Sequence, residues 1–295
     1  MEQSARKDID KQVFDLLKAS KSLDVFPTPI DRITDYVELR QSNSDQSLHS
    51  IPTSYFTQKL DVLQRALKKV YGAFDRSERI IYINPFIHKN KKAFVQLHET
   101  GHAVIPWQKA TGYFVDDTIT LDADTKVQFE EEANYFASGA LFQLDRFKDE
   151  LLKMPLEIGS PLALAELFGG SKHAGMRRYV EVCPKRCALL VLERKEESPK
   201  GELLSFRNCF HSDKFLRSFG DLSWPAIFDK SFPFIQDYLR KRRLHNEGSI
   251  WLQTQAGMEC FEYHYFNNSH NVFVLLLPEG ERISTRTKIY MSDEI

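Results

Sequence analysis

Cysteine is scarce in this chain, with four in 295 residues, and that scarcity excludes the disulfide framework that staples small secreted domains. Cys183 and Cys187 enclose Pro-Lys-Arg, which is neither zinc-knuckle spacing nor matched by a second pair downstream, so both are read as structural. Long apolar runs are missing as well. None approaches the ~18 residues of a membrane span, and the opening MEQSARKD lacks the features of a secretory signal. Nor is there a surplus of one charge: 40 Lys and Arg stand against 41 Asp and Glu, for a net charge of -1. That balance argues against a global bias toward nucleic acid or membrane. The expectation is a cytoplasmic protein with a sizeable core, divided into two or three domains.

What the chain does have is an H-E-x-x-H pair in residues 95–104, VQLHETGHAV. On a helix of ~3.6 residues per turn, positions four apart share a face, so His98 and His102 can present two imidazoles to one ion. Glu99 sits one step round, able to reach a water on that ion without being a ligand, as a general base must. The context supports a helix. Residues 79–84, RIIYIN, read as a short β-branched and aromatic strand closed by Pro85, and a helix can run from Asn90 or Lys91 to Ile105 before Pro106 stops it. Phe94, Gly101 and Ile105 fall within about 60° of His98 at ~100° per residue, which puts the histidines on the apolar side. Two ordinary core histidines would fit the same pattern. Two titratable rings beside a carboxylate on an apolar face are costly to bury without a metal, however.

A catalytic zinc normally takes three protein ligands and keeps a fourth position open. Residues 125–142 form a second amphipathic helix in which Phe129, Ala133, Phe136, Ala137, Ala140 and, just beyond, Leu144 share a stripe. Measured from Ala133, Glu130 lies about 60° away, Glu132 about 100°, and Glu131 nearly opposite. Glu130 is therefore the expected third ligand, and Glu131 and Glu132 are read as a solvated helix face. Asn134, one turn beyond Glu130, is placed to accept the free ring N–H of a zinc-bound histidine.

At these residues the chain resembles the ImmA/IrrE metallopeptidases, gluzincin-like enzymes. The resemblance rests on His98-Glu99-Thr-Gly-His102 and Glu130-Glu-Glu-Ala-Asn134-Tyr-Phe-Ala137, with the preceding IYIN strand and the opening FPTPID of residues 26–31. It covers roughly residues 20 to 190. It implies a zincin-like fold, Zn²⁺ or an activating Mn²⁺, and a cytoplasmic protein substrate such as a helix-turn-helix repressor in stress response or mobile-element control. One departure is local: after Leu141 the chain reads Phe-Gln-Leu-Asp where the family commonly has Leu-Met-Pro.

Organisation follows from the remaining punctuation. Short helices are expected over 8–20, 30–40 and 61–70, giving an α+β domain over 1–155 with a small sheet against the metal helices. The connection 107–117 is long enough to frame a cleft, with Trp107 or Tyr113 as lining or packed aromatics. Residues 160–179 read as helix, glycine turn, helix, and a helix-turn-helix-like unit is assigned to 156–195. Its Arg177 and Arg178 permit DNA contact, although a few cations on a helix are usually a solvated face. The polar stretch 193–202 is the expected boundary to a β-rich α+β C-terminal domain over 203–295, a sensor or recognition module by position. Strands are expected over 206–219, 250–253, 258–265 and 271–277, with a turn at 267–270 and a helix over 232–244 ending in the basic cluster 240–243. The functional expectation is a zinc endopeptidase. Its alternatives are a metal-dependent regulator that binds without cutting and a DNA-binding protein with a vestigial peptidase fold.

Overall fold

The computed structural model describes residues 1–42, 72–75, 78–83, 87, 89–109, 123–194 and 204–282. The expected helix over 61–70, the Asn84-Pro85 close of the strand, and Tyr113 lie outside the described residues. The fold is α+β, and the chain divides into two compact units, Met1–Asp149 with Leu164–Lys172, and Glu150–Ala163 with His173–Ile295. Among the described residues no helix is long and apolar enough to cross a membrane.

In the first unit, α1 (Gln3–Ala19) buries Ile9, Val13, Leu16 and Leu17, a one-sided i, i+4, i+7, i+8 stripe. Helix α2 (Ile30–Tyr36) leads into β1 (Arg40–Ser42), followed by β2 (Gly72–Asp75), β3 (Ile80–Ile83) and α3 (Lys89–Val104). The three strands form one sheet in the order β1-β3-β2, with β1 parallel and β2 antiparallel to β3. Alternation along β3 buries Ile81 and Ile83, which join Leu39 and Ala103 in a small core flanked by Phe74, Ile87 and Val104. Helix α3 thus lays one side on the sheet and another on α4 (Ala123–Leu141), which also receives α1.

The Phe-Gln-Leu-Asp departure is structural. Phe142 packs with Phe147 of α5 (Asp145–Leu151) at 5.0 Å, and Phe168 lies 5.3 Å from Phe147. Gln143, fully buried with φ 48, donates to the carbonyls of Ser22 and Val25 and to Thr28 Oγ1, and accepts from the Asp24 N–H. One amide therefore ties the 20–28 loop to the end of α4, satisfying backbone groups that burial would otherwise leave costly.

Helices α6 (Gly159–Leu167) and α7 (Lys172–Val182) flank the expected glycine turn, with Gly169 at φ 75. In the second unit, six strands form one antiparallel sheet in the order β6-β5-β4-β9-β8-β7. They are β4 (Ala188–Arg194), β5 (Leu204–His211), β6 (Ile227–Phe228), β7 (Leu244–Thr254), β8 (Gly257–Asn267) and β9 (Asn271–Pro278). The central pair, β4 and β9, is buried on both faces, which is why ALLVL and VFVLLL read as unbroken apolar runs rather than alternating ones. One face packs Leu190, Val274 and Tyr265 against Phe215 and Phe219 of α8 (Asp213–Phe219) and Phe234 and Ile235 of α9 (Pro233–Leu239). On the sheet's other side, the His173 ring of α7 lies 5.5 Å from Phe273, a packing role.

Three expectations need correction. The polar stretch 193–202 falls between β4 and β5, which pair antiparallel from Ala188↔His211 to Arg194↔Leu204, so it joins two neighbouring strands of one sheet. Pro, Gly and charge mark a hairpin connection as readily as a linker. The strand expected over 206–219 stops at His211, because Ser212 accepts from Phe215 N–H and caps a helix. The helix expected over 232–244 ends at Leu239, and Arg242 of the basic cluster binds buried Asp237 at 2.8 Å.

Candidate metal centre

Helix α3 carries His98 and His102 one turn apart, and Glu130 of α4 reaches both. His102 Nε2 lies 3.2 Å from His98 Nε2, and the Glu130 carboxylate oxygens lie 3.3 Å from His98 Nε2 and 3.4 Å from His102 Nε2. Among the described residues this is the one group of three metal-ligand side chains whose donor atoms converge, all within 4.8 Å of one another. An ion held at about 2.0–2.1 Å with tetrahedral angles separates its ligand atoms by about 3.3–3.4 Å. The triangle on the protein has that size.

Hydrogen bonding fixes what each ring presents. Gln108 Nε2 donates to the Glu132 carboxylate at 2.7 Å and to the Phe129 carbonyl at 3.2 Å, two groups that can only accept. Its amide oxygen must therefore be the atom 2.7 Å from His102 Nδ1, so His102 carries its proton on Nδ1 and turns a lone pair outward at Nε2. His98 Nδ1 is 3.2 Å from Asn134 Oδ1, and with that oxygen accepting, His98 takes the same tautomer. Two lone pairs and a carboxylate then face one another at contact distance. That arrangement is repulsive unless a cation sits among them; a proton bridges only one pair, whereas a metal ion meets all three. The residues fit a zinc-type ion on donor chemistry as well as on spacing.

The charges respond to this crowding. Burial alone would lower the pKa of His98, but Glu130, Glu99 and Asn134 together raise it. Where a ring nitrogen carries a proton instead of facing a metal, hydrogen bonding from His102 and then His98 holds Glu130 well below the usual carboxylate range. Glu99 is buried, and burial pushes its pKa up against the opposing pull of the two histidines. The side chains of His98 and His102 are 15% and 14% exposed and that of Glu130 is 61% exposed, so the triangle is open to solvent on the α4 side.

The structure brings together His98, His102 and Glu130 of the expected site, with Glu99 buried on the same helix and Asn134 on His98. Trp107 is partly buried and donates from Nε1 to Glu132 at 2.7 Å. Sequence reasoning missed Gln108 and misread Glu132. Glu132 is fully buried, not solvated. The helical wheel placed it sideways, and there Gln108 and Trp107, on the helical segment 106–109, reach its carboxylate. Met1 and Glu131 form an exposed pair at 3.3 Å, in keeping with the solvated reading of Glu131.

Comparison with known proteins adds two findings. Residues 57–178 match the family model of the IrrE N-terminal-like domain, peptidase M78. A solved Mycobacterium tuberculosis transcriptional regulator superposes with a TM-score of 0.50 at 10% identity, covering 97% of this chain and 81% of that one; at that identity the likeness speaks to fold alone. No curated protein matches the sequence.

Proposed function

The chain belongs to the IrrE N-terminal-like peptidase family through residues 57–178, and on that premise we propose that it is a zinc-dependent endopeptidase acting on a specific cytoplasmic protein. The observation that carries the reading is the converging triangle of His98, His102 and Glu130 with buried Glu99 beside it. His98 Nε2, His102 Nε2 and a Glu130 oxygen would hold the ion. When bound, zinc, or manganese in its place, supplies Lewis acidity next to the water and the scissile carbonyl.

The remaining chemistry belongs to the chain. Glu99 takes a proton from the attacking water and returns it to the leaving amine, so the carboxylate is regenerated at the end of each turnover. Its burial raises its basicity and suits it to that task. Asn134 and Gln108 hold the rings in the ligating tautomer. Trp107 and Tyr113 stand on the segment that would border the substrate. The substrate we favour is a helix-turn-helix repressor whose loss releases transcription, as the family resemblance implies.

The alternative in which α7 reads DNA meets a specific obstacle. Arg177 is paired with Glu181 at 2.7 Å and stacks on Phe210 at 5.0 Å, while Met176, Tyr179 and Val180 of the same helix are buried. The reading that remains in competition is a metal-dependent regulator that binds its partner without cutting.

The test is to trap the partner on Glu99→Gln protein, identify it by mass spectrometry, and follow it by immunoblot in wild-type and Glu99→Gln cells. The variant should retain about one equivalent of metal, accumulate intact partner and yield no fragment. Equal partner levels and fragments in both strains would leave the non-cleaving regulator as the better account.

A further inference from the structure

Behind His102 runs a hydrogen-bonded chain that ends on a buried carboxylate. His102 Nδ1–H donates to Gln108 Oε1 at 2.7 Å, Gln108 Nε2 donates to Glu132 Oε2 at 2.7 Å, and the same oxygen accepts Trp107 Nε1–H at 2.7 Å. The other Glu132 oxygen accepts from Gln128 Nε2 at 2.8 Å. Glu132 and Gln108 are both fully buried. Every one of these four donor groups is a neutral N–H, and the Phe129 carbonyl takes the second proton of the Gln108 amide. The orientation of Gln108 is thereby determined from outside the metal centre, before any ion is present.

We propose that Glu132 is a positioning residue for the metal centre, acting through Gln108 to fix the tautomer and angle of the His102 ring. The inference rests on the metal reading given under Proposed function. A ligating histidine commonly donates its second N–H to a carboxylate or carbonyl, which orients the ring and strengthens its lone pair. Here an amide stands between carboxylate and ring. It passes on the orientation, because turning the amide over would set its oxygen against the Glu132 carboxylate, and it passes on polarisation, because the amide dipole aligns with the negative charge behind it. The two histidines are served unequally. His98 leans on exposed Asn134, whereas His102 leans on a chain closed off from water.

A purely structural role for Glu132, anchoring Trp107 and the helical segment 106–109, makes a different demand, and the two are separable by zinc affinity measured with a competing chelator on the full-length protein. Gln108→Leu removes the acceptor of His102 Nδ1–H and should raise the zinc Kd about 10- to 100-fold, the usual cost of losing an outer-shell partner. Glu132→Gln is nearly isosteric and keeps an acceptor for Trp107 and Gln108, so it isolates the charge; it should raise Kd about 10-fold, the lower end of that range. Because Glu132 acts through Gln108, the double variant should be no weaker than Gln108→Leu alone, whereas Gln108→Leu with Asn134→Ala, serving different rings, should multiply.

Cobalt-loaded protein supplies a readout apart from affinity, since the visible band of the ion should shift in Gln108→Leu and much less in Glu132→Gln. If Gln108→Leu does not fold, Gln108→Met carries the same test. Unchanged Kd in both single variants, or a Glu132→Gln effect of full size in the Gln108→Leu background, overturns the inference while the metal reading stands. Wild-type protein that takes up no zinc overturns the metal reading and this inference together.

Discussion

Glu130, Glu131 and Glu132 are neighbours in sequence and meet three different environments. Glu130 touches both histidines, Glu131 pairs with the N-terminal amine in water, and Glu132 is enclosed by Trp107, Gln108 and Gln128. Glu130→Gln should therefore cost most of the zinc affinity, and Glu131→Gln should leave it unchanged, because an exposed pair of that kind contributes about 1 kcal/mol at most and touches nothing at the ion. Asn134→Ala should weaken binding about 10- to 100-fold by freeing the His98 ring. Chelator competition reads all three, and a larger loss from Glu131 than from Glu130 would mean that α4 is registered differently. At this scale the helix period alone turned Glu130 toward the two histidines, because its carboxylate and the apolar stripe belong to the same helix. It could not single out Glu132 or Gln108, whose environment is made by residues 106–109 coming alongside, and no period within one helix encodes that.

Between elements, the centre depends on how closely α3 and α4 approach. The point of approach is Gly101, where an added Cβ would stand 3.1 Å from Phe136 Cδ1 and 3.3 Å from Ala133 Cα. Phe136 could turn aside; the Ala133 backbone could yield only by moving α4, and with it Glu130. Gly101→Ala gains about 1 kcal/mol of helix propensity and loses about 1–3 kcal/mol to overpacking. We expect the metal-free protein to melt slightly earlier and the zinc Kd to rise. A stabilised variant with unchanged zinc affinity would show that the helices have room to spare. The two metal helices were legible because each carries a long one-sided stripe, as were β8, β9 and the turn between them. The helix Asp213–Phe219 was not, since its phenylalanines read as strand until the cap at Ser212 is noticed.

At the scale of the whole chain, pH acts on the second unit through one buried histidine. His264, in the second unit, is fully buried. Burial, with Arg282 and His245 nearby, lowers its pKa from 6.5 to about 4. Ile158 N–H and the Arg282 guanidinium both face its ring nitrogens, at 3.2 Å and 3.3 Å, so an added proton finds no acceptor there. The unfolded chain takes up that proton first. Stability is therefore complete above pH 6.5 and declines as pH falls toward 4, by roughly 3 kcal/mol from this group. His264→Gln, which keeps an acceptor and does not titrate, should flatten the decline in thermal unfolding of the second unit over that window; an unchanged slope would assign it to other groups. The division into units was only partly legible in the sequence. The charged stretch 193–202 has the composition of a linker, and only the pairing of β4 with β5 and β9 shows that it connects strands of one sheet.

One ion held by His98, His102 and Glu130 would leave a direct crystallographic signature. The most direct measurement is a crystal structure of zinc-loaded full-length protein with anomalous data collected on either side of the zinc absorption edge. One strong anomalous peak should lie about 2.0–2.2 Å from His98 Nε2, His102 Nε2 and a Glu130 carboxylate oxygen, with Gln108 still bonded to His102. A fully loaded crystal with no peak there, or with the ion bound through Glu132 instead, would contradict that ligand set.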